Sequence, residues 1–192
     1  MGRNLEFIEG EAVTKAMNVF WEKGYNGASM RDLADAMQIS ISSMYNTLGD
    51  KKQLFLKCIR QYTGDSMKAI EVKVAGNESP LQSLVDIIEV SAKTITESTQ
   101  SCLKIKTAFE IGVNDNEVRQ IVKQTDDILI VLLQDLIKQA KKRNEIKAHH
   151  DSEMLAEFIF NSFTGWHESY VVNGDPLKIK KMAAYLVAII QQ

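Results

Sequence analysis

Apolar residues recur along this 192-residue chain at the three- and four-residue spacing of amphipathic helices, without a long stretch of alternating apolar and polar positions. Both prolines follow an N-cap residue, in Ser79-Pro80 and Asp175-Pro176, as they do where helices begin. The pattern predicts an all-α fold of about nine helices. The predicted segments are 5–23, two short helices within 29–48, and then 51–74, 80–98, 101–112, 115–142, 152–172 and 176–191.

The two short helices have the pattern of a helix-turn-helix, whose second helix lies in the DNA major groove. Ser29 and Asp32 form a predicted capping box, and Ser40 is the next N-cap candidate. Met44 and Leu48 fall on the inward face of the second helix. Its outward face carries short or polar side chains that suit contact with base edges, whereas an ordinary helical hairpin would expose lysine and glutamate. These residues are Ile41, Ser42, Ser43, Tyr45 and Asn46.

Composition and charge narrow the function classes. An apolar fraction of 45% with 25% charged residues is typical of a globular protein, and no apolar run is long enough for a transmembrane helix. We see no secretory signal, and Cys58 and Cys102 suit a reducing cytoplasm rather than a disulfide scaffold. The net charge is −2, and residues 1–60 carry eight basic and seven acidic residues, so DNA binding would depend on geometry rather than on a broad basic patch.

The last two predicted helices are apolar on more than one face, which indicates that they are buried against other protein. A second copy of the chain would cover them in a four-helix bundle, and the alternative is that they complete the chain's own core. The candidate dimerisation residues are Phe158, Phe163, Leu186 and Ile189.

Aromatic residues with a few polar groups, the composition of a site for a small organic molecule, recur in the second half of the chain. Core packing is the alternative for the aromatic residues, and a pair between Lys106 and Glu110 would equally explain the acidic side chain. Cys102 opens a predicted helix, where the dipole lowers a thiol pKa, so an electrophile or oxidant sensor is a second interpretation. The candidate effector residues are Met67, Cys102, Lys106, Phe109, Glu110, Phe163, Trp166, His167 and Tyr170.

The segment from about residue 11 to residue 55 resembles the TetR/AcrR family of bacterial regulators. The resemblance lies in Gly24-Tyr25 and in the ranges 29–34, 39–46 and 49–54. It implies a homodimer with an N-terminal helix-turn-helix domain, 1–50, and a larger helical domain for effector binding and dimerisation, 51–192, linked by the helix 51–74. The implied partners are a palindromic double-stranded DNA operator and a small organic effector that releases a repressor from it.

The resemblance also implies roles for single residues. Those matching Ser29, Tyr45 and Lys51 hold backbone phosphates in the family. Those matching Met30, Arg31, Ile41, Ser42, Ser43 and Asn46 face bases or the nearby backbone. This sequence departs from the family pattern at Ser43, Leu48 and Gln38. The departure at Gln38 is the least favourable of the three, because that turn position often needs a left-handed backbone, in which glutamine is strained.

Two other function classes fit the sequence less well. An enzyme is not expected, because we find no nucleophile–base pair, metal signature or phosphate-binding loop, and we predict no catalytic residue, metal or cofactor. His149 and His150 stand in a predicted turn, where adjacent side chains diverge. A helical adaptor without DNA binding would explain the acidic net charge but not the outward face of residues 41–46. We therefore expect a cytoplasmic regulator with no membrane partner.

Overall fold

The computed structural model describes residues 8–97 and 102–191, and these form nine α-helices and one π-helical turn, which confirms the all-α prediction. The predicted helix ends at residues 5–7, 98 and 101 lie outside the described residues. The helices are α1 Glu9–Gly27, α2 Met30–Met37, α3 Ile41–Leu48, α4 Lys51–Ala75, α5 Pro80–Glu97, α6 Leu103–Thr107, α7 Asn116–Lys142, α8 Ser152–Asn173 and α9 Pro176–Gln191; the π-helical turn Ala108–Gly112 follows α6 directly.

Most helices begin at the residues that the sequence predicts. The start of α4 is a capping box in which the amide of Asp50 donates to Oε1 of Gln53 at 3.0 Å and the amide of Gln53 donates to Oδ1 of Asp50 at 2.8 Å. For α7 the sequence predicts Asn114 as the N-cap, with Glu117 three residues later, and this prediction is wrong by one residue. The cap is Asp115, whose Oδ1 accepts the amides of Glu117 at 3.0 Å and Val118 at 3.2 Å.

The chain divides into two compact units. Among the described residues, the first unit contains 8–65 and 103–122, and the second contains 66–97, 102 and 123–191. This division does not coincide with the predicted domain boundary after residue 50, because the first half of α4, α6, the π-helical turn and the start of α7 group with the helix-turn-helix.

The core of the first unit is formed by the inward faces of its helices. Leu33 of α2 and Met44 of α3 are fully buried, as is Phe20 of α1, whose ring centroid lies 4.9 Å from that of Phe55. A helix whose apolar side chains recur on one face is stable only when that face is covered. Burial of this face leaves the opposite surface of α3 in solvent, as the sequence predicts.

The second unit has its own core, built mainly by α5, α8 and α9. Phe163 and Leu186, two of the predicted dimerisation residues, belong to this core, and only 8% and 4% of their surfaces are exposed in the single chain. They are buried because the apolar faces of α8 and α9 pack against this chain's own helices. Among the described helices, none is both long and apolar enough to cross a membrane.

Candidate DNA-binding surface

The start of α2 is fixed by a closed set of hydrogen bonds. Oγ of Ser29 accepts the amide of Asp32 at 3.0 Å, and Oδ2 of Asp32 accepts the amide and the hydroxyl of Ser29 at 2.9 and 2.7 Å. Nζ of Lys23 lies 2.6 Å from the other carboxylate oxygen. The bond from Lys23, followed by those from Ser29, holds the pKa of Asp32 far below its usual range. This confirms the predicted capping box.

The turn between α2 and α3 has the left-handed backbone that the family resemblance led us to expect at Gln38. Gln38 adopts φ 60° and ψ 39°, and its amide donates to the carbonyls of Ala34 and Asp35 at the end of α2. This is the left-handed conformation that favours glycine, so the expected left-handed backbone at Gln38 is confirmed. The turn orients α3 relative to α2, as a helix-turn-helix requires.

Ser40 caps α3 and gathers the neighbouring hydroxyl groups. Its Oγ accepts the amide of Ser43 at 3.1 Å, donates to Oγ of Ser43 at 2.9 Å, and lies 3.0 Å from Oγ of Ser42. The hydroxyl groups of Ser42 and Ser43 therefore both contact the hydroxyl group of Ser40. The bond from Ser40 uses only one acceptor site of the Ser43 hydroxyl, so the O–H of Ser43 can still donate to a base or a phosphate.

The remaining outward residues of α3 present an open surface. Tyr45 and Ile41 are 51% and 43% exposed, and Asn46 is exposed beside them, while Met44 and Leu48 are buried beneath. An aliphatic side chain, an amide and a phenol on one free helix face supply the groups that meet a thymine methyl, a base edge and a phosphate. Arg31 is exposed and Met30 half-buried at the adjoining start of α2.

Lys51 lies at the first turn of α4, with its ammonium 4.7 Å from the centroid of the Tyr25 ring. That ring also packs edge-on against Phe55, with centroids 4.9 Å apart. Burial raises the pKa of the Tyr25 hydroxyl, and the charge of Asp50 adds to the effect. Tyr25 stands in the Gly24-Tyr25 motif, but its contact with Lys51 depends on the fold and could not be predicted from the motif alone.

The structure places three of the predicted effector residues in the first unit, in other roles. Nζ of Lys106 donates to the carbonyl of Trp21 at 2.8 Å, and the carboxylate of Glu110 accepts the amides of Tyr25 at 3.1 Å and Asn26 at 2.8 Å. Phe109 is 76% exposed. In place of the alternative Lys106–Glu110 pair, the two side chains make these three hydrogen bonds to the backbone of α1.

The other predicted effector residues lie in the second unit. Trp166 is buried with its ring centroid 5.5 Å from that of Phe163, while Met67, Cys102, His167 and Tyr170 are half-buried. The hydroxyl of Tyr170 donates to the carbonyl of Thr96 at 2.9 Å. Thr96 also lines a groove of about 610 Å³ between α5 and α9, together with Glu89, Ala92, Lys93, Glu97, Pro176, Lys180, Ala183, Ala184 and Val187.

Of the predicted dimerisation residues, Phe158 is 54% exposed and Ile189 is half-buried. Met154, Gly165 and Val172 are exposed on the same helix as Phe158, at spacings that put all four on one side of α8. We call these four residues the α8 stripe. In the described part of the chain, no group of three or more histidine, cysteine, aspartate and glutamate side chains could hold a metal ion.

Family models match both parts of the chain. The model described as "Bacterial regulatory proteins, tetR family" matches residues 13–58, and the model described as "Tetracyclin repressor-like, C-terminal domain" matches residues 80–186, more than half of the chain. The chain belongs to the TetR family. It is a DNA-binding transcriptional regulator and not an enzyme.

Relatives of this TetR-family regulator cover most of its length. The HTH-type transcriptional regulator YezE of Bacillus subtilis (strain 168) is 30% identical over 166 residues, which are 84% of this chain and 85% of that protein. The HTH-type transcriptional repressor ComR of Escherichia coli (strain K12) is 26% identical over 161 residues, 82% and 77% of the two chains. A cysteine mutant of the regulator CifR, solved with 26-base-pair operator DNA, is 23% identical, with 98% of each chain covered and a TM-score of 0.84, and shares the fold.

Proposed function

We propose that this regulator is a repressor that binds a palindromic operator as a homodimer and is released by a small organic effector. The observation that carries the proposal is the exposed face of α3, where Tyr45, Asn46 and Ile41 stand above a buried core with little formal charge around them. The proposal includes action in the cytoplasm, where a bacterial regulator meets its DNA.

The proposed contacts divide into two kinds. Lys51, Tyr45 and the start of α2 at Ser29 bind phosphates and set the register of the protein on DNA. Asn46, Ser42, Ser43 and Ile41 on α3, with Met30 and Arg31 on α2, approach bases or the backbone beside them. Because the local charge is nearly balanced, most of the specificity would come from base contacts and from the second subunit.

A homodimer doubles this surface by two-fold symmetry. Its recognition helices would enter major grooves roughly 34–36 Å apart, or at a related spacing. The exposed α8 stripe and the half-buried Ile189 supply apolar surface that a second copy could cover.

The effector would act by preferring one of two conformations of the dimer. Such a ligand changes operator affinity by no more than the ratio of its own affinities for those conformations, and operator DNA lowers effector affinity by the same factor. We place the effector in the second unit, where Tyr170 bonds to Thr96 at the edge of the α5–α9 groove. The proposed effector site leaves out Lys106, Phe109 and Glu110, because these residues belong to the first unit.

Fluorescence anisotropy with labelled DNA from upstream of the chain's own gene tests the DNA-binding part of the proposal. Lys51→Ala should weaken binding to operator and to scrambled DNA alike, and it should lower the salt dependence of binding. Asn46→Ala should instead reduce the preference for operator over scrambled DNA, by about 1–3 kcal/mol. Equal effects of the two variants on both DNAs would contradict the proposed docking.

A reporter gene under the same upstream DNA tests the sign of regulation. Repression predicts low expression with the wild-type chain and high expression with Lys51→Ala. Expression that falls in the variant would instead identify an activator.

A further inference from the structure

Helix α1 is interrupted at Gly24, and the interruption is built into the backbone. Gly24 has φ 73° and ψ 170°, and the helix resumes at Tyr25. A Cβ at this position would lie 2.9 Å from both carboxylate oxygens of Glu110. The positive φ favours glycine here, and a Cβ would in addition displace the carboxylate of Glu110.

Two side chains of opposite charge bind the two ends of this break. Nζ of Lys106 donates to the carbonyl of Trp21, before the break, at 2.8 Å. The carboxylate of Glu110 accepts the amides of Tyr25 and Asn26, after the break, at 3.1 and 2.8 Å. The end of a helix leaves unpaired carbonyls and its start leaves unpaired amides, so each charge meets the groups it stabilises.

With the π-helical turn between them, Lys106 and Glu110 both contact the backbone of α1. Lys106 lies in α6 and Glu110 lies four residues later, inside the turn Ala108–Gly112. A π-helical turn changes the direction of the side chains that follow it, and such turns recur at functional positions. Phe109, the neighbour of Glu110, is 76% exposed, whereas the carboxylate of Glu110 is directed at α1.

We call Lys106 and Glu110, which bind the backbone on the two sides of Gly24, the clamp. Tyr25 connects the clamp to the DNA-binding surface. Its amide is held by Glu110, and its ring lies under the ammonium of Lys51, 4.7 Å away. The ring cannot shift freely, because Phe55 packs against its edge at 4.9 Å and Phe20 stacks at 6.1 Å. A cation held over an aromatic face keeps its charge but loses conformational freedom.

We propose that Glu110, Lys106 and Tyr25 are positioning residues for DNA binding: the clamp fixes the break in α1, and the Tyr25 ring then holds Lys51 where it meets a phosphate. This inference rests on the proposed phosphate contact of Lys51. It gives the clamp residues a role in DNA affinity without any contact to DNA.

The test is operator affinity as a function of salt for Glu110→Gln. The amide side chain keeps one acceptor but turns its NH₂ group toward a backbone amide, so the Tyr25 position loosens. We expect binding about tenfold weaker, with a salt slope reduced by about one for each subunit, as for Lys51→Ala. Glu22→Gln, an exposed site on α1 with the same charge change, should not reduce either quantity.

Two further comparisons separate positioning from a general loss of structure. The double variant Glu110→Gln/Lys51→Ala should bind no more weakly than Lys51→Ala alone, because both changes remove one contact. Tyr25→Leu should reduce the salt slope in the same way while the hydrogen bond from its backbone amide to Glu110 remains. Tyr25→Phe should have the wild-type salt slope, because its ring still supports the cation of Lys51. Tyr25→Leu also serves if Glu110→Gln fails to fold.

The outcomes distinguish the inference from the function on which it rests. If Lys51→Ala leaves affinity and salt slope unchanged, the phosphate contact is wrong and the inference falls with it. If Lys51→Ala has its effect but Glu110→Gln and Tyr25→Leu keep the wild-type salt slope, only the positioning inference is overturned. Additive losses in the double variant would overturn it as well.

Discussion

Nζ of Lys52 lies 2.7 Å from Oδ2 of Asp115, which joins the first turn of α4 to the residue that caps α7. Glu117 adds a second carboxylate oxygen at 3.1 Å. The bond from Lys52, followed by that from the amide of Val118, lowers the pKa of Asp115, and the same carboxylates raise the pKa of Lys52. Asp115 thus has two separable roles, as a helix cap and as one half of an exposed ion pair.

The decrease in melting temperature caused by a substitution at Lys52 or Asp115 should depend on which of these roles it removes. Asp115→Ala removes the cap and the ion pair, and should lower the melting temperature by about 2–4 °C. Lys52→Met removes only the ion pair and should have a smaller effect, because exposed pairs contribute little. Asp115→Asn keeps an acceptor for the cap and should fall between them. Circular dichroism melting at pH 7 gives the order, and a larger effect of Lys52→Met would refute it.

The same pair predicts a pH dependence. Because the pKa of Asp115 is lowered in the folded chain, its stabilisation is present above the pKa of an unfolded aspartate, about 4, and is lost as the pH falls below that value. The difference in melting temperature between wild type and Asp115→Asn should therefore shrink between pH 6 and pH 3. A difference that does not change with pH would show that only the cap matters.

Replacing Gln38 with glycine should stabilise the helix-turn-helix. A left-handed residue with a Cβ is strained by about 1–2 kcal/mol, and the greater freedom of glycine in the unfolded chain offsets roughly half of this gain. We expect a net increase of about 0.5–1 kcal/mol in the free energy of unfolding, measured by urea titration. Gln38→Ala should give no increase, because it retains the Cβ, and equal results for the two variants would remove strain as the reason.

The helix-turn-helix could be predicted from sequence because its information is local. Ser29 and Asp32 are three residues apart, and their spacing alone defines the capping box that the structure shows. Gln38 likewise stands in a short turn whose backbone is set by its neighbours. The burial of Met44 and Leu48 follows from helical periodicity over eight residues.

The sequence could not predict contacts between residues far apart along the chain. Glu110 looked like a pocket residue because an acidic side chain on an apolar helix needs a partner, and that partner is an amide 84 residues away. Phe163 looked equally suited to a dimer interface and to the core, because both are apolar environments with the same periodicity. Only the fold decides which neighbour covers a given apolar face.

The two cysteines should differ sharply in reactivity. Cys58 is fully buried with its thiol donating to the carbonyl of Val13 at 3.5 Å, and burial raises its pKa to about 12. At pH 8 its reactive thiolate fraction is on the order of one in ten thousand. Iodoacetamide should therefore modify only the half-buried Cys102 in the native protein and both residues in urea, as read by peptide mass spectrometry.

Cys102→Ser is the matched control and should abolish native labelling. Rapid native modification of Cys58 would show that the first unit opens readily. A Cys102 that reacts no faster than a free thiol would weigh against the alternative of an electrophile or oxidant sensor, since sensing cysteines are activated.

Two phenylalanines five residues apart on α8 have very different exposure to solvent. Phe158 is 54% exposed in the α8 stripe, and Phe163 is 8% exposed in the core of the second unit. In a two-fold symmetric dimer the same surface occurs on both subunits, so Phe158→Glu introduces two carboxylates at once. We expect this variant to be folded but monomeric at micromolar concentration, as measured by light scattering together with circular dichroism.

Phe163→Ala should have a different effect. Loss of a buried phenylalanine ring costs about 3–5 kcal/mol, so this variant should unfold at lower denaturant concentration even when it still dimerises. Phe158→Ala should weaken the dimer less than Phe158→Glu, because it removes apolar contact without adding charge. If wild type and Phe158→Glu form dimers of the same affinity, the α8 stripe is not part of the interface. Ile189 on α9 would then be the remaining predicted dimerisation residue that is not buried in the single chain.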